Sequence, residues 1–351
     1  MSFEKNLREQ VEAAAAAGTA LSIQGSNSKS FYGRMTRGEV LSVNQHKGII
    51  DYTPSELVIS ARAGTTLTEL ESVLEQQGQM LAFEPAHFGD NATLGGTIAC
   101  AFSGPRRPYA GAARDFVLGV NCINGKGEWL RLGGQVMKNV AGYDVSRTLT
   151  GSLGTLAIML DIHVRVLPRP ENEITLQQAC DVETAIQRCS ALAAQPLPVS
   201  AACYLDGLLT LRLSGMEQGV QSAAASVGGD TLADAARFWQ QLREHQLEFF
   251  SGEQPLWRLS VPPATAPLPI EGDTLLDWGG AQRWLRSEQS ADTIRSITEA
   301  AGGHATLFRG GDPDGEIFHP LQPQLLSLHQ RLKQTFDPAG ILNPGRMYRE
   351  L

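Results

Sequence analysis

Aliphatic residues stand at every second position from Ile158 to Val166: Ile158, Leu160, Ile162, Val164 and Val166, with Met159, Asp161, His163 and Arg165 between them. A period of two is the period of a strand, and this one predicts a half-buried strand. The run before it, KNVAGYDVSRTLTGSLGTLAI from Lys138 to Ile158, carries Gly142, Gly151 and Gly154. Glycine has no Cβ, so backbone beside a strand can approach a flat or charged ligand closely at such positions.

The 351 residues suffice for two domains, and 42% apolar with 19% charged residues is an ordinary globular balance. The formal net charge of -8 argues against a nucleic-acid partner, whose phosphates need a basic face. Cys100, Cys122, Cys180, Cys189 and Cys203 show no C-x-x-C spacing and are odd in number. Neither a disulfide framework nor an iron–sulfur site is expected from them. Glu4, Lys5, Arg8, Glu9 and Glu12 leave no room for a signal peptide. The greasiest later segment, Leu153–Leu167, is broken by Asp161, His163 and Arg165, so no membrane span is expected. The expectation is a cytoplasmic chain that reaches a membrane only through partners.

Leu7, Val11 and Ala14 predict a first helix that Gly18 stops, and Leu21-Ser22-Ile23 a short strand. Leu57–Ala63 reads as a strand, followed by the capping box Thr66-Leu67-Thr68-Glu69 and a helix ended by Gly78. Thr93–Thr97 opens a short helix. Strands at Asp115–Ile123 and Glu128–Leu132 flank the hairpin signal Asn124-Gly125-Lys126-Gly127. Pro168-Arg169-Pro170 mark a boundary between residues 1–168 and 169–351. Beyond it, strands are expected at Cys203–Leu213, Leu256–Val261 and Thr274–Trp278, and helices at Leu232–Leu247, Ala291–Ala301 and Leu321–Thr335. The fold class is α+β throughout.

Neither G-x-G-x-x-G nor G-x-x-x-x-G-K-[ST] is present. The loop after the first strand, Gln24-Gly25-Ser26-Asn27-Ser28-Lys29, combines a glycine, two hydroxyls and an asparagine that tolerates positive φ. It suits an anion-holding nest of N–H groups, or a polar strand-end turn. Thr93-Leu94-Gly95-Gly96-Thr97 starts a helix whose N–H groups suit a pyrophosphate, or simply a tight turn. Arg106, Arg107 and Arg114 suit phosphate or carboxylate pairing, or a solvated loop. Seven histidines form no short metal pattern, and no metal site is expected. His163 is read as structural.

The order of these signals resembles the vanillyl-alcohol oxidase/PCMH-type FAD-binding family: glycine–serine loop, T-L-G-G-T, P-Y-A-G-A-A-R-D, G-Y-D, then G-S-L-G-T-L. The likeness covers residues 18–168, and the ending FDPAGILNPGR, Phe336–Arg346, is similar to the C-terminal signature of FAD-linked oxidases. SGPRRPYAGAARDFVLG and KNVAGYDVSRTLTGSLGTL resemble the FAD-binding subunits of bacterial glycolate oxidases within that family. The resemblance implies a PCMH-type two-subdomain FAD-binding domain at 1–168 and an α+β cap domain at 169–351, with 336–346 returning to the first domain.

It further implies FAD contacts from Gly25, Ser26, Asn27, Ser28, Lys29, Thr93, Gly95, Gly96, Thr97, Ser103, Arg107, Tyr109, Gly142, Gly151, Gly154, Ile158 and Asn343. Residues 24–32 contain no histidine, which implies non-covalent FAD. Asn27 stands where many members have a second glycine. The implied reaction oxidises a small 2-hydroxy acid, with a homologous FAD-containing catalytic subunit and an iron–sulfur subunit as partners. Catalytic members carry a segment like H-x-G-D-G-N-x-H, and the stretch here, HATLFRGGDPDGEIFHP from His304 to Pro320, lacks that paired spacing. The departure points to substrate oxidation on the partner, and no catalytic base is assigned.

Overall fold

The structure is a computed structural model that describes residues 2–134, 145–312 and 314–351. Gly142 and the rest of Lys138–Asp144 lie outside the described residues. The first helix, α1 (Phe3–Ala17), buries Leu7, Val11 and Ala14 on one face. Ser2 caps it through the Lys5 N–H, and Gly18 ends it at φ 66°. Two short strands follow, β1 (Leu21–Gln24) and β2 (Glu39–Ser42), paired in parallel.

Next come β3 (Ile49–Thr53), β4 (Val58–Arg62) and α2 (Leu67–Glu75), whose cap Thr66 accepts the Glu69 N–H at 3.2 Å. The chain continues through β5 (Gln79–Met80), α3 (Leu94–Cys100), α4 (Arg107–Ala110) and α5 (Ala113–Phe116). It then forms β6 (Val117–Asn124), β7 (Trp129–Gly133), β8 (Ala157–Arg165) and β9 (Leu167–Pro168). A five-stranded antiparallel sheet in the order β3-β4-β8-β6-β7 forms the first half, and β5 pairs with β9.

The expectation for β8 needs correction. It is covered on both faces rather than half-buried. Ile158 and Leu160 pack with Leu7 and Val11 of α1, whereas Ile162 and Val164 pack with Ala157, Met159, Leu70 and Phe116. A register irregularity opposite Asn121 and Cys122 swaps the faces midway. One extra residue in a strand reverses the side-chain alternation beyond it. Two of the polar members are hydrogen-bonded: His163 Nδ1 lies 2.7 Å from Ser60 Oγ, and Asp161 Oδ1 lies 2.9 Å from His46 Nε2.

The second half is an eight-stranded antiparallel sheet. Its strands are β10 (Asn172–Ala179), β11 (Val199–Leu205), β12 (Leu208–Gly215), β13 (Asp230–Thr231), β14 (Leu256–Ser260), β15 (Asp273–Asp277), β16 (Gln282–Arg286) and β17 (His304–Arg309). They lie in the order β13-β10-β12-β11-β15-β16-β14-β17. Alternation sets its two faces. Cys203, Leu256, Trp284 and Phe308 meet Tyr32, Phe102 and Leu153 of the first half. Trp257, Leu285 and Leu307 face the other way, under α9 (Ala291–Ala300). On that side α6 (Val182–Ala193) covers Ala202 and Leu209, and α7 (Glu217–Val227) covers Leu213.

The single strand expected at Cys203–Leu213 is a hairpin. Asp206 at φ 50° and Gly207 at φ 80° make the two successive left-handed residues that a tight Asp-Gly turn requires. The helix expected at Leu232–Leu247 shrinks to α8 (Ala235–Arg243), because Asp234 is non-helical and His245 leaves at φ 54°. After α10 (Pro323–Phe336) the chain comes back to β1, where Leu342 bridges Leu21. Lys333 secures the return by donating to the carbonyls of Thr155 at 2.8 Å and Leu342 at 2.7 Å.

Candidate functional site

The loop leaving β1 turns under α3. Asn27 takes φ 61° and its Nδ2 donates to Gln24 at 2.8 Å. A Cβ on Gly25 would stand 2.9 Å from Thr93 Oγ1, the atom that caps α3 through the Gly96 N–H. Gly25 is therefore required by close approach, with no strained φ. Among the described residues, the N–H groups of Ser26, Asn27, Ser28 and Lys29 have no acceptor. These residues border a cavity of about 520 Å³, a size typical of cofactor pockets. Gly25, Ser26, Asn27, Ser28, Lys29, Thr93, Gly96 and Asn343 all line it.

Lys29 is buried, and its Nζ donates to the His87 carbonyl at 3.1 Å and to Ser28 Oγ at 3.3 Å. No carboxylate pairs with it among the described residues. Burial lowers its pKa to about 8, against the pull of Cys100 and Glu244 in the other direction. Arg346, also at the cavity, donates only to carbonyls: Ser30 at 3.2 Å, Tyr32 at 2.7 Å and Arg34 at 3.1 Å. Two cations without counter-charge thus border one cavity.

The other expected residues fall around this core. Gly151 and Gly154 take φ 85° and 71°, and Leu153 between them lines the cavity at φ 52°. A Cβ on Gly154 would meet Asn343 Nδ2 at 2.8 Å. Gly95 packs α3 against β4's exit, where a Cβ would lie 2.7 Å from that of Ala63. Thr97 is fully buried, and its Oγ1 has no partner among the described residues.

Ser103 accepts the Ala113 N–H at 3.0 Å and lines a second, smaller chamber. Arg107 and Tyr109 do not line the large cavity. The Arg107 guanidinium lies 4.3 Å over Trp278, and Tyr109 sits beside Gly279, both at the seam with the second half. Ile158 also stays off the cavity, because the face of β8 that it occupies packs on α1. Arg106 is bound to Glu84 and Glu173, and Arg114 is exposed beside Asp115.

Sequence reasoning missed Phe31, Ala99, Cys100, Leu153 and Arg346 as lining residues. Ala99 and Cys100 were findable, since three and four residues beyond Gly96 on a helix is the same face. Cys100 is half-buried there, and desolvation pushes its thiol up to about 11.

His304 opens β17, and Nδ1 of His319 stands 3.4 Å from the Ala305 N–H. Burial lowers both imidazoles. Among the described residues no three His, Cys, Asp or Glu side chains converge as a metal set.

Residues 3–133 match the FAD binding domain family, and residues 318–347 match the C-terminal domain of FAD linked oxidases. The glycolate oxidase subunit GlcE of Escherichia coli K12 is 49% identical over 99% of this chain and 98% of its own length. The glycolate oxidase subunit GlcD of Bacillus subtilis is 29% identical over 48% of this chain and 36% of its own length. A solved structure of alkyldihydroxyacetonephosphate synthase, 15% identical, shares the fold with a TM-score of 0.66 over 97% of this chain and 75% of its own.

FAD fits the residues present. Free N–H groups, Lys29 and Arg346 suit its phosphates, and the left-handed backbone at Gly151–Gly154 leaves space where side chains would intrude. Cofactor cradle, two matched domains and near-full-length similarity agree, and the chain belongs to the GlcE-type FAD-binding subunits of the FAD-linked oxidase family.

Proposed function

We propose that this chain is the FAD-binding subunit of a glycolate oxidase complex that converts glycolate or a related small 2-hydroxy acid to the 2-oxo acid. The observation that carries the reading is the meeting of the Gly25–Lys29 loop, α3 and Asn343 on one cavity. Similarity to GlcE along almost the whole length supports the activity class, and the likeness to GlcD supports a homologous FAD-containing catalytic subunit as partner. The remaining partner is an iron–sulfur subunit that receives the electrons, since five scattered cysteines offer no cluster spacing. Among the described residues no helix is long and apolar enough to cross a membrane. The proposed location is cytoplasmic, at the inner membrane face through the complex. We take residues 1–168 as the FAD domain and 169–351 as its cap.

FAD, when bound, supplies a two-electron acceptor for the hydride of the substrate carbon. The chain's own residues bind and orient it non-covalently. Ser26–Lys29 present N–H donors, Lys29 and Arg346 present positive charge, and Thr93 and Asn343 fix the walls. The aromatic group Tyr32, Phe102 and Phe308 shuts water out between the halves.

A second reading makes this chain an FAD-carrying relay or assembly subunit. The lack of a converging set around His304 and His319 among the described residues favours it. Anaerobic addition of glycolate to the purified FAD-loaded chain separates the two. Bleaching of the flavin absorbance supports oxidation here. Flavin that stays oxidised until the homologous subunit is added supports the relay. A chain that takes up no FAD overturns both.

A further inference from the structure

The peptide between His87 and Phe88 is held at both ends. Its N–H donates to Glu244 Oε2 at 2.9 Å, and its carbonyl accepts the Lys29 Nζ at 3.1 Å. The preceding N–H, that of His87, reaches the same carboxylate oxygen at 3.0 Å. Phe88 takes φ 50°, a left-handed conformation that lets two successive N–H groups converge on one anion. The anion is supplied by the second half of the chain, where Glu244 closes α8. Its side chain is 8% exposed, and Arg243 Nε donates to its other oxygen at 2.8 Å.

A carboxylate at the N–H end and an ammonium at the carbonyl end polarise one amide in the same sense. Hydrogen bonds linked in this way strengthen one another. The ammonium concerned is the buried cation of the large cavity. An aromatic path runs beside the polar one. The Phe88 ring meets Phe31, which lines the cavity, at 5.4 Å, and meets His245, the neighbour of Glu244, at 5.1 Å. Joining the halves does not by itself require Glu244, because Glu84 already does so through Arg106 and Arg212.

We infer that Glu244 is a positioning residue for the flavin site: through the His87–Phe88 peptide it aims the Lys29 ammonium into the large cavity, so that the second half sets how tightly the first holds its cofactor. The inference rests on the reading of that cavity as an FAD site. Burial lowers the Lys29 pKa to about 8, and Cys100 and Glu244 oppose the fall. Removing the Glu244 charge therefore lets the ammonium turn neutral at lower pH. The other titratable and charged groups around the relay are His87 itself, Glu71 of α2 at 3.0 Å from the His87 ring, and Arg243. Arg346 and Arg258 act on the Cys100 thiol.

The test titrates the full chain, freed of FAD, with FAD by quenching of the flavin fluorescence, at pH values on both sides of the Lys29 pKa of about 8. Glu244→Gln should weaken FAD about fivefold at neutral pH and move the alkaline fall in affinity down by about half a pH unit or more. Glu244→Asp, which keeps the charge, should recover part of both. In a Lys29→Met background, Glu244→Gln should change FAD affinity by less than about twofold, since the group it acts through is gone. A Glu244→Gln chain with the pH profile of wild type, or a loss of equal size with and without Lys29, overturns the inference and makes Glu244 a structural tie only. Should Glu244→Gln fail to fold, Glu244→Asp decides by the same comparison: its loss of affinity must vanish in the Lys29→Met background. A wild-type chain that takes up no FAD overturns the cofactor reading and the inference with it.

Discussion

Asn343 holds Ile23 across 320 residues of chain: its Oδ1 accepts the Ile23 N–H at 2.8 Å. Its Nδ2 donates to the Leu153 carbonyl at 2.7 Å, so one amide ties the first strand to the glycine turn. Asn343→Ala strands both groups in a buried place. Each costs about 1–3 kcal/mol. A lower melting temperature and a weaker FAD titration are expected together. Normal FAD affinity in the variant would remove Asn343 from the site.

Lys29 makes the site pH-dependent. Its ordinary pKa of 10.5 falls to about 8 on burial. Between those values the unfolded chain binds more protons, so the stability of the FAD-free chain rises with pH across this window. FAD binding runs the other way, because a neutral amine no longer attracts phosphate. FAD affinity should fall above about pH 8 while the melting temperature of the FAD-free chain rises. Lys29→Met should flatten both curves, and a wild-type affinity level from pH 7 to 10 would refute the ammonium's role.

Glu84 fastens the halves. It accepts from Arg106 Nε at 3.1 Å on its own side and from Arg212 Nη2 at 2.9 Å on β12. Burial alone would raise its pKa, but Arg212 and Arg106 more than offset that and hold it below the usual carboxylate range. Glu84→Gln leaves two buried guanidinium groups to share the more exposed Glu173 as counter-charge, a loss of up to about 3–5 kcal/mol for a broken buried pair. The contribution is present above the ordinary carboxylate pKa and lost as pH falls below it. The gap between variant and wild type in urea melts should therefore close in acid.

Asp277 acts with opposite sign. Burial raises its pKa from 3.8 to about 7. The folded chain holds the extra proton between those values, so stability declines as pH rises through them. Asp277→Asn keeps the hydrogen-bonding shape and removes the charge. Its melting temperature should exceed that of wild type by several degrees at pH 8 and converge with it near pH 4.

The helices with clean caps were readable from the residues alone, as with Leu7, Val11, Ala14 and Gly18 in α1 or Thr66 and Glu69 in α2. The family resemblance, not the residues alone, brought the loop, the T-L-G-G-T helix start and Asn343 together, and all three line one cavity. The eight-stranded sheet was only partly legible: β14 and β15 fall on the strands expected at Leu256–Val261 and Thr274–Trp278, whereas β16 (QRWLR), buried along its whole length, shows no clean period of two. The Asp206-Gly207 turn was a legible signal passed over. Arg107 and Tyr109 were drawn toward the cofactor because a motif orders residues along the chain, and only tertiary packing shows that Trp278 already occupies their side.

The bridge between Leu21 and Leu342 also makes the cradle a long-range structure. The loop that begins at Gly25 is braced by Asn343, so it takes its shape only once segments 320 residues apart have met. Closing so long a loop is entropically costly and slow, which ties cofactor binding to the docking of both segments.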